Sequence, residues 1–93
     1  METKRLTTDK YLAHLNEHPS TLRQQLYDIL LSVSWREFSN RYMGKKGDWI
    51  YEKINGFDQY GEAVTPMTDE ELTEFKNGLL DLSEQIKKVA ESL

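Results

Sequence analysis

The chain has 93 residues, a net charge of −4 and no cysteine, with 38% hydrophobic side chains. That length makes one domain, residues 1–93, and the absence of cysteine excludes disulfides, thiolate nucleophiles and cysteine metal sites. The longest aliphatic run, Ile29-Leu30-Leu31, is far below the roughly 20 apolar residues of a membrane-spanning helix, and no apolar signal core follows the charged N-terminus, so a cytoplasmic address is expected.

Charge is unevenly spread. Residues 34–56 carry five basic side chains against three acidic ones, whereas residues 57–93 carry three against nine. A mildly basic middle thus precedes an acidic end. A domain this small buries only roughly 60% of the surface that its unfolded chain exposes, so association is an expected source of extra stability.

The apolar pattern is helical in every segment outside residues 57–67. Thr8 or Asp9 is placed to cap a first helix to about Glu17, with Tyr11, Leu12 and Leu15 on one face. His18-Pro19 should end it, because the residue before proline is pushed out of helical geometry. Ser20 caps a second helix whose apolar positions are Leu22, Leu26, Ile29, Leu30 and Val33. Ser34 opens a third, with Trp35, Phe38 and Tyr42 inward, and Gly44 stands where a left-handed stop residue belongs. A short fourth helix carries Trp49, Ile50 and Ile54 and stops at Asn55-Gly56. Residues 57–67, punctuated by Gly61 and Pro66, are expected to form an ordered loop. Thr68 and Glu71 then have the spacing of a capping box for a long fifth helix, 68–92.

Residues 34–56 have the layout of a helix-turn-helix. Ser39 is the small residue between the two helices, Gly44 the turn, Ile50 the aliphatic residue six positions later and Ile54 a second anchor. Two features depart from the usual motif. Ser39 stands five residues before Gly44 rather than four, and Lys46-Gly47 occupies the place of the usual serine or threonine cap. Asp48 is therefore expected to cap a recognition helix of about two turns, and Glu52 falls on its presumed reading face. The candidate DNA contacts are Arg41, Lys45, Lys46, Tyr51 and Lys53, the cations for phosphate and Tyr51 for a base edge or sugar.

The stretch from Tyr42-Met43-Gly44-Lys45-Lys46-Gly47 through Trp49-Ile50-Tyr51 and Asn55-Gly56, with Gly61 and then Met67-Thr68-Asp69-Glu70-Glu71-Leu72, resembles a family of short Bacteroidetes proteins classed as a domain of unknown function. The resemblance covers roughly residues 34–93 and implies a helical fold with a helix-turn-helix-like core, without implying an activity.

Leu72, Phe75, Leu79, Leu82, Ile86, Val89 and Leu93 follow one another at alternating steps of three and four, the seam of a coiled coil or helix bundle. Its first half is expected to serve the chain's own core, against the first two helices. Ile86, Val89 and Leu93 overshoot a core of short helices, and are candidates for self-association. An antiparallel pair would set Glu70, Glu71 and Glu74 near Lys87 and Lys88 of the other chain. His14 and His18 share a helix face at the spacing of a chelating pair, but two ligands at a helix end beside Pro19 read better as surface. No metal site, cofactor or small-molecule substrate is expected, and no catalytic group stands near a candidate base.

The sequence therefore describes a non-enzymatic, all-α bundle of five helices with a helix-turn-helix-like pair and a long C-terminal helix. DNA binding by a homodimer is the expected function. The alternative is a protein–protein adaptor working through the heptad-patterned last helix, with no nucleic-acid role.

Overall fold

The computed structural model describes residues 5–17 and 20–93. Among these, five α-helices and no strand are present, and helix accounts for 69% of residues. The helices are α1 (Thr8–Glu17), α2 (Thr21–Gln25), α3 (Trp35–Phe38), α4 (Gly47–Asn55) and α5 (Asp69–Ser92). The all-α expectation is met. His18 and Pro19, expected to end α1, lie outside the described residues.

Four local expectations need correction. The second helix does not run to Val33. It stops at Gln25 and gives way to a 3-10 turn, Tyr27–Ile29, leaving Tyr27 and Leu31 exposed. Helical spacing is satisfied equally by a helix and by short turns that place Leu26 and Leu30 inward, and tertiary packing selected the latter. The cap of α1 is Thr7, whose Oγ1 accepts from the Lys10 N–H at 3.3 Å. Ser34 holds the N-cap position of α3 but its side chain makes no capping bond. Asp48 does not cap α4, which begins at Gly47 with Lys46 at its N-cap, two residues earlier than expected.

The core is built around an aromatic stack. Trp35 lies parallel to Phe75 of α5, ring centres 5.9 Å apart, and Phe38 tilts against both at 5.6 and 5.2 Å. The Trp35 indole N–H is satisfied by the Leu30 carbonyl at 2.8 Å, so the ring is buried without an orphan donor. Ile50 and Ile54 of α4, with Leu26, Met43 and Met67, complete this core. The fifth helix packs on the α3 side of the bundle, not on α1 and α2 as its stripe alone suggested.

Helix α1 has no buried residue. It sits on the loop through a separate cluster, in which Phe57 meets Tyr11 at 5.4 Å and His14 edge-on at 4.2 Å. Asn55 donates to the Tyr11 hydroxyl. The loop is ordered by an isolated antiparallel bridge between Phe57 and Ala63 and by the Asp58 carboxylate, which accepts from the N–H groups of Tyr60 and Glu62. At its end the capping box forms as expected: Glu71 N–H donates to Thr68 Oγ1 at 3.1 Å and Thr68 N–H to Glu71 Oε1 at 3.0 Å. No helix among the described residues is long and apolar enough to cross a membrane.

Candidate functional site

The departure in spacing between Ser39 and Gly44 has a structural cause. Helix α3 continues as a π-helical turn, Ser39–Met43, and the Gly44 N–H bonds to the Ser39 carbonyl. A π turn inserts one residue into a helix, which accounts for the extra position between Ser39 and Gly44. Ser39 is completely buried, and its hydroxyl lies at 3.1 and 2.9 Å from the Lys45 and Lys46 carbonyls. Gly44 has φ of +62°, a left-handed geometry that costs a side-chain-bearing residue energy. The helix-turn-helix-like pair is thus locked from the turn outward.

The structure does not gather the five candidate DNA contacts on one face. Lys45 and Lys53 both reach the Trp49 ring, each ammonium 5.8 Å from its centre. Lys53 also donates to the Thr65 carbonyl at 2.5 Å, so its charge is partly committed to the loop. Arg41 lies over Tyr42, at 5.1 Å, along a groove shared with Leu82 and Ile86 of α5. Tyr51 faces a hollow with Tyr11, Asp48 and Glu52. Lys46 is exposed at the turn. The free side of α4 therefore presents Asp48, Tyr51 and Glu52, and the Arg36–Asp48 ion pair at 3.8 Å is too exposed to matter much for stability.

The second candidate surface is the distal half of α5. Phe75 and Gly78 are buried, Leu79 and Leu82 pack partly against the core, and from Ile86 onward every residue is exposed. Ile86 and Val89 are each 60% exposed and Leu93 98%. Phe75 and Gly78 are covered by Phe38 and Tyr42, so the seam lies bare chiefly in its distal half.

Sequence reasoning missed the residues that fix where α5 leaves the bundle. The Tyr42 hydroxyl donates to Asp81 Oδ2 at 2.7 Å, and the Gln85 amide donates to the same oxygen at 2.8 Å. That hydrogen bond to Asp81, with some burial, raises the Tyr42 phenol above its ordinary value. Gly78 lets the helices touch: a Cβ there would lie 2.8 Å from Phe38 Cζ and 2.9 Å from Tyr42 Cβ. A glycine in the middle of a helix costs about 1 kcal/mol relative to alanine, and that anomaly was the available signal. Beyond this clamp, Val33, Phe38, Tyr42, Leu82 and Ile86 line a groove of about 200 Å³.

The family model described as Domain of unknown function (DUF5053) matches residues 22–93. The chain belongs to this family. Neither a curated protein nor a solved structure matches it. The DUF5053 segment contains the aromatic core, the π turn and all of α5, whereas α1 lies before it. A cavity of about 640 Å³ lies where α1 meets the DUF5053 segment, lined by His14, Glu17, Phe57, Gly61 and Val64 among others. His14 there packs edge-on against Phe57. His18, at chelating spacing from His14 in the sequence, lies outside the described residues. Among the described residues no group of three or more His, Asp or Glu side chains is placed to hold a metal ion.

Proposed function

We propose that this DUF5053 protein is a protein–protein assembly module, a binding device rather than a catalyst, that works through the projecting half of α5. One observation carries this: the apolar seam continues in register after the chain's own core has stopped covering it. The projecting half extends a helix that is already nucleated further back, and its apolar side faces water. Complete burial of an isoleucine or leucine side chain is worth about 1.5–3 kcal/mol, so covering Ile86, Val89 and Leu93 supplies both the stability and the driving force for association. Scattered surface leucines need no explanation, but three aliphatic residues on one face do. A cysteine-free chain of this kind suits a cytoplasmic setting.

The test is a photoreactive side chain at Val89, with one at exposed Lys76 as the control, in the cell that makes the protein. A protein adduct from position 89 and not from 76 is expected. Absence of any adduct from position 89 overturns the proposal.

Duplex DNA is the second candidate partner, favoured by the pairing of Lys45 and Lys53 around Trp49 beside a helix-turn-helix-like turn. Its weakness is electrostatic, because the free side of α4 carries Asp48 and Glu52, which repel phosphate. A mobility shift at about 50 mM salt, where counterion release favours binding, lost on changing Lys45 and Lys46 together to glutamate, supports it. No shift at that salt removes it.

A further inference from the structure

We infer that the occupant of the α5 seam is a second copy of this chain, docked antiparallel through Leu82, Ile86, Val89 and Leu93; this rests on the assembly function proposed above. The seam is self-complementary. Its steps of four, three and four residues read the same in both directions. A two-fold axis between residues 87 and 88 therefore sets Leu82 opposite Leu93 of the second copy and Ile86 opposite its Val89. A two-fold pairing of one patch with itself is the commonest closed arrangement of homo-oligomers.

Direction follows from where the bundle sits. The inner part of the same seam is filled by Trp35, Phe38 and Tyr42 of the same chain. A parallel copy would carry its own bundle into that space. An antiparallel copy places the two bundles at opposite ends, and the 54 Å length of the molecule against 27 and 20 Å in the other directions leaves the distal half of α5 clear.

The groove supplies the end of the interface. Leu93 of the second copy arrives level with Leu82, where Val33, Phe38, Tyr42, Leu82 and Ile86 enclose about 200 Å³. The positions flanking the seam are Ser83, Gln85, Ala90 and Ser92, none of them charged. Glu84, Lys87, Lys88 and Glu91 fall on the outward side of the helix, so like charges do not oppose one another across the contact. Four apolar positions per copy, with these small flanks, cover roughly 1,000 Å² in total, the lower end for a specific interface. The dimer is accordingly weak, with Kd on the order of 10–100 µM.

The absence of native cysteine makes the register directly testable. Purified full chain is examined by sedimentation equilibrium from about 10 to 300 µM, a range that brackets the expected Kd. Ile86→Cys and Val89→Cys chains are oxidised separately and as a mixture, with circular dichroism confirming that each stays helical. Wild type is expected to dimerise, Ile86→Asp with Val89→Asp to raise Kd by about tenfold or more, and the mixture to cross-link faster than either variant alone. A wild type that stays monomeric throughout overturns the proposal, as does Ile86→Cys cross-linking to itself as fast as the mixture, the mark of parallel pairing. If the purified chain is monomeric yet Val89 gives an adduct with another protein in cells, the second copy is wrong and the assembly function stands. If Val89 gives no adduct in cells and the purified chain is monomeric, both fall.

Discussion

The two halves of α5 have the same pattern and opposite surroundings. Phe75 is 4% exposed and stacks on Trp35, whereas Val89, two heptads along the same face, is 60% exposed. Both halves belong to one capped helix with one unbroken stripe, so neither periodicity nor local stability separates them. What separates them is where α3 ends. The aromatic stack, Gly78 and the Tyr42–Asp81–Gln85 hydrogen bonds grip α5 up to about residue 85, and among the described residues every one from Ile86 onward is exposed. A 3-4 stripe therefore shows which side of a helix seeks cover without showing what covers it.

The strongest way to break this comparison is to mutate both halves. Phe75→Ala removes a ring packed between two others and is expected to cost about 3–5 kcal/mol. That is a large share of the stability of a small domain, roughly 5–15 kcal/mol. Ile86→Asp, on the bare half, should change monomer stability by no more than about 0.5 kcal/mol. Urea unfolding at low protein concentration measures both. Comparable losses at the two positions mean that the distal half is packed after all.

Gly78→Ala probes the boundary between the halves. Better helix propensity offers about 1 kcal/mol, but the added methyl meets the Phe38 and Tyr42 rings below 3.0 Å. Overpacking of that kind costs about 1–3 kcal/mol, so a net loss in denaturation midpoint is expected. A gain in stability would show that α3 and α5 are loosely joined.

The smallest expected effect concerns pH. The Tyr42 phenol is raised above its ordinary value of 10.0 by its bond to Asp81. A group whose value is higher in the folded state contributes fully below the unfolded value and loses that contribution as pH rises through the folded one. The stability difference between wild type and Tyr42→Phe should therefore hold steady to about pH 10 and shrink above it. Thermal midpoints of the two proteins across that range check it, and a difference independent of pH refutes a titrating bond.

The legibility of this protein in its sequence varied with the range of the interactions involved. The capping box at Thr68 and Glu71, the left-handed stop at Gly44 and the inward set Trp35, Phe38, Ile50 and Ile54 depend on residues within a few positions of one another, and all were read correctly. The extent of α2 was misread, because spacing identifies an inward face but not whether the backbone stays helical between Gln25 and Ser34. The five candidate DNA contacts looked like one group because they lie within thirteen consecutive residues, yet Lys45 and Lys53 share Trp49 while Arg41 and Tyr51 meet other neighbours.

By itself, then, the sequence determined the all-α class, the capping box of α5, the stop at Gly44 and the inward positions of α3 and α4, since these rest on local backbone hydrogen bonding and side-chain periodicity. The tertiary structure alone decided that α5 packs on α3, that a π turn absorbs the extra residue after Ser39, and that the apolar stripe runs out of cover near Ile86. Those outcomes depend on shape: how closely Gly78 lets two helices approach, how far an aromatic stack extends, and where a short α3 stops beneath a long α5.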